Sequence, residues 1–458
     1  MYDEGPGYRG GKNRLTHSAA ASSKISWKFP YTFWVANGVE LLERASFYAV
    51  FITFTLYLSN VVGFNDIEAA WLGGFYAAGV YFMPPFTGAL ADKMGFRRAM
   101  LLAFGLLAIG FFSLGAMPYR WTVVPAIVLL IIGGSFIKGL ITGTVAKTST
   151  PAQRARAYSI FYGMVNVGSF SGKSIAYPLR LNLGLESINY FSAILCCIAV
   201  VVVFFAYRNI GAEGEGKSLK EVWTGLVRVV RNPRLVTLIL IISGFWMIQH
   251  QMYATMPKYV TRLVGPGASP EWIANVNPAV VVAFVVIITQ LMKKAAAITA
   301  MNIGMLLMPI SALCMASSPL LEAKFGSPVP LPLGISAHPI TVMLIAGIIL
   351  QGLAECFISP RYLEFFSKQA PKGEEGLYLG FGHLHSFIAN FLGFGLSGYL
   401  LTKYCPDPKT LSAGELSTAY VHANYIWYYF AAIGLVSAVA LFIYAKVTAI
   451  RVGPTQSK

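Results

Sequence analysis

The chain of 458 residues is 56% hydrophobic and only 12% charged, and its 35 Lys and Arg against 19 Asp and Glu give a net charge of +16. A soluble domain carries about 25% charged residues, so this composition excludes a soluble enzyme, a nucleic-acid-binding domain and a disordered chain. The five cysteines are odd in number and scattered, which predicts neither a disulfide framework nor a metal site.

The chain begins with a polar, glycine-rich and basic segment, which lacks the apolar core of a cleavable signal peptide. After it the sequence predicts twelve apolar spans, at about 31–60, 67–91, 98–118, 122–146, 157–183, 188–208, 235–261, 272–292, 296–317, 338–366, 376–402 and 420–448. Each can cross the roughly 30 Å hydrocarbon core of a bilayer as a helix, and a helix satisfies its own backbone hydrogen bonds there.

We therefore expect an all-α polytopic membrane protein with twelve transmembrane helices in two six-helix bundles. The expected organisation is a basic cytoplasmic tail, an N-terminal bundle, a cytoplasmic linker, a C-terminal bundle and a second cytoplasmic tail, at 1–30, 31–210, 211–234, 235–450 and 451–458. The linker has apolar residues at helical spacing, which predicts an amphipathic helix on the membrane surface: Leu219, Val222, Trp223, Leu226, Val229 and Val230.

The basic residues are concentrated in the tails and in the loops on the same side as the tails. Because Lys and Arg stay on the cytoplasmic side during membrane insertion, we expect a multi-pass protein of the cell membrane with both termini in the cytoplasm. Anionic lipids then account for the positive charge, and no nucleic-acid partner is expected.

Six ionisable side chains fall inside the predicted spans, and their charges cancel: Glu40, Glu43, Arg44, Lys138, Lys173 and Glu355. Placing an ionisable group at mid-bilayer costs about 2.5–3.5 kcal/mol, so each of these residues is expected to be paired or to have a function. Polar groups recur on spans one, four, seven and ten, a spacing that would bring four helices around a central cavity. The alternative is a set of buried ion pairs that only fix how the helices pack.

Other polar features carry less information. His383 and His385 are two residues apart and point to different faces of a helix, so we expect core or cavity-lining histidines and no shared metal. Gly168 and Gly172 have the spacing of closely packed membrane helices. The sequence has neither an HExxH motif nor a GxSxG nucleophile elbow, and no residue set favours an enzyme.

The loop GALADKMGFRR at 88–98 resembles the signature loop of the major facilitator superfamily. That resemblance implies a cytoplasmic charge clasp, formed by Asp92 with Arg97 and Arg98, which breaks when the transporter opens inward.

A closer resemblance is to the proton-coupled oligopeptide transporter family. Glu40, Glu43 and Arg44 match its ExxER motif, and Lys138 lies in its glycine-rich lysine context. Further similar segments follow in order along nearly the whole chain: FYGMVNVGSF (161–170), FWMIQHQ (245–251), EWIANVNPAVV (271–281) and Glu355 followed by KQAPKGEEGLYLG (368–380).

This resemblance implies a proton-coupled symporter of di- or tripeptides, or of related small zwitterions, that works by alternating access with protons as the coupling ion and no cofactor or metal. The implied proton-coupling residues are Glu40, Glu43, Arg44, Lys138 and Glu355, and we expect Lys138 and Glu355 to form an interdomain latch. We further expect the substrate-binding residues to be Tyr48, Lys138, Tyr162, Asn166, Lys173, Trp246, His250 and Gln251.

Four positions depart from the family pattern. Phe51 stands where the family has an arginine that grips the peptide carboxylate, and His250 stands where it has a glutamate. Lys138 is followed by glycine instead of proline, and Lys173 is a charge at a normally uncharged position. Two alternatives therefore stay open: a proton-coupled transporter of a non-peptide organic solute, and a non-transporting membrane scaffold or sensor. The expected partners are a small solute and the lipid bilayer; a protein could dock on the tail or the linker helix.

Overall fold

A computed structural model describes residues 27–208, 210, 218–367, 375–416 and 418–451. The predictions for most of the N-terminal tail, for the start of the linker, for the Ala-Pro segment after span ten and for nearly all of the C-terminal tail lie outside these residues. Within them the chain is almost wholly helical.

The first half contains seven helices for six predicted spans, because the second span is divided by a proline pair. They are α1 (Tyr31–Asn60), α2 (Asp66–Phe82), α3 (Pro84–Met94), α4 (Phe96–Ala116), α5 (Arg120–Lys147), α6 (Arg154–Leu183) and α7 (Glu186–Ala206). Asn65 and Glu68 form a capping box that starts α2. Pro84 and Pro85 open α3, where their missing N–H groups cost little.

The linker and the second half continue as α8 (Leu219–Val230), α9 (Pro233–Gln249), α10 (Gln251–Ala254), α11 (Met256–Leu263), α12 (Pro270–Leu291), α13 (Ala297–Ala316), α14 (Ser318–Phe325), α15 (Pro339–Ser367), α16 (Glu375–Gly382), α17 (Leu384–Tyr404), α18 (Ala413–Leu416) and α19 (Tyr425–Arg451). Between α14 and α15 a short antiparallel hairpin joins β1 (Val329–Pro330) to β2 (Ser336–Ala337), with Val329 opposite Ala337. Short 3₁₀ turns lie at Pro332–Gly334 and Pro408–Thr410.

Ten of the helical segments in the described residues are long and apolar enough to cross a membrane. The two other crossings of the predicted twelve are the broken pair α2–α3 and the polar helix α6. Since the crossings alternate in direction, the start of α1 and the end of α19 lie on one side, called here the tail side, and the loops after α1, α4 and α6 lie on the opposite, distal side. Two six-helix bundles result, as the apolar spans predict.

Helix α8 forms in the predicted linker and begins at a capping box of Ser218 and Glu221. Its apolar residues divide between two faces. Val222, Leu226 and Val229 are buried, and the helix contacts α3 of the first half and α16 of the second. Leu219, Trp223 and Val230 are exposed on the other face. The helix therefore contacts both halves on the tail side with one face, and its other apolar face points away from the protein.

Helices α1 and α6 pack closely because two glycines of α6 meet the backbone of α1. A Cβ at Gly168 would lie 2.7 Å from the carbonyl oxygen of Leu41, and one at Gly172 would overlap the carbonyl of Ala45. The predicted small-residue packing is confirmed here. Between the halves, α2 packs along α17 and α6 packs against α12.

Candidate functional site

Buried ion pairs join the two halves on the distal side. At the start of α2, Asp66 accepts hydrogen bonds from Lys258 Nζ at 2.7 Å and from Arg262 at 2.8 Å, both on α11. Lys258 also donates to Ser59 Oγ at 2.6 Å. All three charged side chains are buried, and separating such a group leaves an uncompensated charge, so this cluster holds the distal side shut.

A second distal contact joins α6 to α12. Arg180 Nε lies 2.6 Å from Glu271 Oε1, and the same guanidinium donates to the carbonyl oxygens of Pro266 at 3.0 Å and Ala268 at 2.6 Å. The planar guanidinium suits this set of acceptors because its donors are fixed in a fork. The halves are therefore joined at two separate points on the same side.

The signature loop lies on the tail side, and its predicted clasp is not formed. Asp92 is not paired with Arg97 or Arg98. Arg97 instead donates to the carbonyl oxygen of Phe204 at the end of α7, and its guanidinium lies 5.5 Å from the centre of the Phe204 ring. Arg97 therefore stabilises the packing of α4 against α7 within the first half and does not pair with Asp92.

The three charges of the ExxER motif lie together on α1. Arg44 Nε is 3.3 Å from Glu40 Oε1, and Arg44 also forms a closer ion pair with Glu43. All three side chains are buried. Glu40 Oε2 is buried and has no hydrogen-bond partner among the described residues. The two carboxylates are therefore not equivalent: Glu43 makes the closer ion pair with Arg44, and Glu40 uses only one of its oxygens.

Lys138 and Glu355 do not form the predicted latch in this conformation. Lys138 Nζ lies 3.8 Å from the centre of the Tyr81 ring. Glu355 Oε2 accepts hydrogen bonds from Gln249 Nε2 at 3.0 Å and from Asn277 Nδ2 at 3.3 Å, both in the second half. Each group has found a partner in its own half, an aromatic face for the lysine and two amides for the acid.

A cavity of about 90 Å³ lies between the halves, beside Glu355. Five of the predicted residues line it: Tyr48, Tyr162, Asn166, Lys173 and Glu355. Its remaining walls were not predicted as site residues: Val165, Ser169, Tyr253, Asn277, Pro278 and Val281. A water needs only about 10–15 Å³ of such space, so the cavity has room for several waters or a small polar group.

Lys173 is the cation of this cavity, and it is directed inward. Its side chain is 0% exposed, and Nζ donates to the carbonyl oxygen of Ala274 on α12 at 3.2 Å. The ammonium also lies 5.5 Å from the ring centre of Tyr48. One hydrogen bond leaves two N–H donors of the lysine for the cavity.

The predicted residues of span seven lie outside this cavity. Trp246 and His250 pack together with a ring separation of 5.4 Å. Gln251 donates to the carbonyl oxygens of Met247 at 2.7 Å and Gly393 at 3.3 Å, and it accepts from Thr255 at 2.6 Å. With these bonds Gln251 holds the break between α9 and α11 against α17.

Asn277 was missed although a signal was available. It is a polar residue inside the apolar span α12 and directly precedes Pro278. A polar side chain in a membrane helix is costly unless it has a hydrogen-bond partner, and Glu355 is the partner of Asn277.

Comparisons with known proteins agree with this architecture. The Major Facilitator Superfamily profile matches residues 38–330. The chain is 23% identical over 361 residues to multidrug resistance protein MdtH of Yersinia enterocolitica, covering 78% of this chain and 80% of that protein. It is 22% identical over 409 residues to MdtH of Yersinia pestis, covering 88% and 92%.

Solved structures with the same fold are transporters of the POT family. The POT family transporter PepTSo superposes with a TM-score of 0.72 at 17% identity, covering 93% of this chain and 99% of that one. A POT family transporter in complex with 5-aminolevulinic acid gives a TM-score of 0.71 at 19% identity, covering 93% and 97%.

The profile covers well over half of the chain, and the structural neighbours share its twelve-helix fold over nearly their full length. Together with the apolar helices, these matches identify a multi-pass membrane transporter. The chain belongs to the Major Facilitator Superfamily.

Proposed function

We propose that this transporter is a proton-coupled symporter of small zwitterionic solutes of the di- or tripeptide kind. The observation that carries the proposal is the cavity beside Glu355, in which a carboxylate, a buried ammonium and two amide side chains from both halves surround one small space. Opposite charges held apart around a polar cavity suit a solute that carries an ammonium at one end and a carboxylate at the other.

The ammonium end would be held by Asn166 and Asn277, beside Glu355. These three side chains supply acceptor oxygens on facing sides of the cavity, Asn166 from α6, Asn277 from α12 and Glu355 from α15. The carboxylate end would be held by Lys173, the buried ammonium of this cavity, which keeps two N–H donors beyond its bond to the Ala274 carbonyl oxygen. A substrate carboxylate would therefore displace no ion pair of Lys173 among the described residues.

The conformation supports an assignment of sides. The distal ion pairs are formed and the Asp92 clasp is not, which is the combination expected of a transporter closed to the outside and open inward. The tail side is then the cytoplasm and the membrane is the cell membrane, in agreement with the Lys and Arg of the tail-side loops. The distal cluster would break, and the tail side close, when the halves rock outward.

Proton coupling would use the buried carboxylates of α1 and α15. Glu40 has one oxygen without a partner, so it can take up a proton without losing a strong bond, and its hold on Arg44 then weakens. Protonation of Glu355 would release Gln249 and Asn277 to the substrate. Proton entry down the membrane potential contributes about 2.3 kcal/mol per 100 mV, enough to bias a conformational change.

Transport of a non-peptide organic solute is the second candidate. It is favoured by His250, which stands where a glutamate is expected, and by the relatives named as multidrug resistance proteins. Against it, one structural neighbour has been solved with a thioalcohol conjugated peptide; the neighbour solved with 5-aminolevulinic acid, a zwitterion without a peptide bond, is compatible with both candidates.

The test is uptake into proteoliposomes under an inward proton gradient, with labelled dialanine compared with amino acids, organic acids and sugars. We expect dialanine to accumulate, Glu355→Gln to abolish accumulation while exchange of internal for external dialanine persists, and Glu322→Gln, an exposed acid on α14, to behave as the native protein. Accumulation of another solute supports the second candidate. No transport of any solute refutes both and favours a scaffold.

A further inference from the structure

Three of the six histidines of the protein meet in the second half: His250 at the break between α9 and α10, His383 between α16 and α17, and His385 on α17. The rings of Trp246 and His385 are nearly parallel, at 8° and 5.5 Å between centres. His250 lies 5.4 Å from Trp246, and His383 lies 5.9 Å from His385. We call these three histidines with Trp246 the imidazole cluster.

The imidazole cluster reaches the first half through Tyr81. The ring centre of Tyr81 is 6.3 Å from that of His250 and 6.4 Å from that of His383. Lys138 Nζ lies over the same tyrosine ring at 3.8 Å. The free ammonium of the first half and the imidazoles of the second are therefore separated by one aromatic side chain, at the junction between the bundles.

The junction is rich in hydrogen-bond donors, and the two acids that act on Lys138, Glu40 and Glu43, are paired with Arg44. Among the described residues, no carboxylate forms an ion pair with Lys138 or with any histidine of the imidazole cluster. His385 Nδ1 is bonded to Ser386 Oγ at 3.0 Å, whereas His250 Nδ1 is buried and has no partner. The third ring, that of His383, is exposed. A buried ring nitrogen without a partner, beside a free ammonium, indicates a position for a polar ligand group.

We propose that this junction is a subsite for a second anionic group, so that the transporter prefers solutes with an acidic side chain, such as acidic dipeptides. The inference rests on the proposed function and narrows its substrate class. Lys138 and imidazole N–H groups can give charge-assisted hydrogen bonds to a carboxylate, and Trp246 and Tyr81 can cover its methylene groups. A cationic side chain would meet the ammonium of Lys138, whose nearest acids, Glu40 and Glu43, are already paired with Arg44, which gives discrimination by repulsion.

The test uses three dipeptides that differ at one group. Unlabelled Ala-Glu, Ala-Gln and Ala-Lys compete with labelled dialanine for uptake into proteoliposomes of the full-length protein. Ala-Glu and Ala-Gln are nearly equal in size, so their ratio reports the charge alone. We expect Ala-Glu to compete about tenfold better than Ala-Gln, equivalent to ~1.4 kcal/mol, and Ala-Lys to compete worst. Equal competition by Ala-Glu and Ala-Gln overturns the subsite, and uptake of dialanine in the same assay leaves the proposed function standing.

Two substitutions then locate the preference. His250→Glu introduces a carboxylate into the imidazole cluster, and the order of Ala-Glu and Ala-Lys should reverse. His383→Gln, at an exposed position that tolerates the change, should reduce the ratio of Ala-Glu to Ala-Gln by severalfold. The control is His422→Gln on the distal side, which should keep the native ratio. An unchanged preference in both cluster variants overturns the assignment; no dialanine uptake by the native protein refutes the proposed function itself.

Discussion

Lys258 Nζ on α11 lies 2.7 Å from Asp66 Oδ1 on α2, and both side chains are buried between the two halves. Arg262 approaches the same carboxylate at 2.8 Å, so a single acid holds two cations from the second half. Because the attraction is felt only while the two halves are together, this contact stabilises the distally closed state over any state in which the halves separate there.

Asp66→Asn should open the distal side. It leaves the buried Lys258 without an acid and Arg262 with only the more distant Asp407, and breaking a buried pair costs about 3–5 kcal/mol in the closed state. A cysteine introduced at Asn166, in the cavity, should then react faster with an impermeant maleimide added from the distal side. The control is Asp407→Asn, whose acid is more exposed and lies 3.8 Å from Arg262. Equal labelling of the two variants would contradict the role of Asp66.

The sequence did not identify this closure because the partners are 192 positions apart and each is a single charge near the end of an apolar run. Hydropathy predicts where helices cross the membrane, and it located all twelve crossings. It does not predict the breaks in them. Span two divides at Met83 before a proline pair, and span seven divides at His250 and again before Pro257.

The candidate site, like the helices, was only partly predictable: the sequence identified buried charged residues but not which of them meet. The cost of polar groups in a bilayer singled out Lys173 and Glu355, which line one cavity, and Lys138, which does not. The pairing of Lys138 with Glu355 was wrong for this conformation, because which buried charges meet depends on helix rotation and on uncharged competitors. Here Tyr81 engages the lysine, and amides engage the acid.

Gly168→Ala should destabilise the first half. The added Cβ would meet the Leu41 carbonyl at 2.7 Å and Arg44 Cβ at 2.8 Å, and overpacking of this kind costs about 1–3 kcal/mol. The matched control is Gly163→Ala on the same helix, which meets nothing within 4 Å and should gain up to about 1 kcal/mol in helix propensity. Thermal unfolding in detergent should give opposite shifts of Tm. A similar Tm for the two variants would show that the backbones can separate at little cost.

Glu40→Gln and Glu43→Gln should differ although both remove a carboxylate from Arg44. Glu43 makes the closer ion pair, so its loss leaves Arg44 poorly compensated and should lower Tm. Glu40 contributes one contact at 3.3 Å and has an unpartnered oxygen, so Glu40→Gln should stay folded yet lose gradient-driven uptake. Tm and uptake are measured on both variants. Native uptake in Glu40→Gln would remove Glu40 from the coupling scheme.

Helix α8 offers a test at two adjacent positions. Val222 is 2% exposed and Trp223 is 57% exposed, on opposite faces of the helix. Val222→Asp would bury a charge where α8 packs between the two halves, and an unpaired buried charge is strongly unfavourable, so both Tm in detergent and the uptake rate should fall. Trp223→Asp faces away from the protein and should leave Tm in detergent nearly unchanged, within about 0.5 kcal/mol in stability.

The same pair in proteoliposomes separates the contact with protein from the contact with lipid. If the outer face of α8 rests among lipid headgroups, Trp223→Asp loses an interfacial anchor and its uptake should fall in the bilayer although its stability in detergent does not. Val222→Asp should be impaired in both settings, because its buried face contacts α3 and α16. Native Tm and native uptake in Val222→Asp would mean that α8 does not brace the two halves.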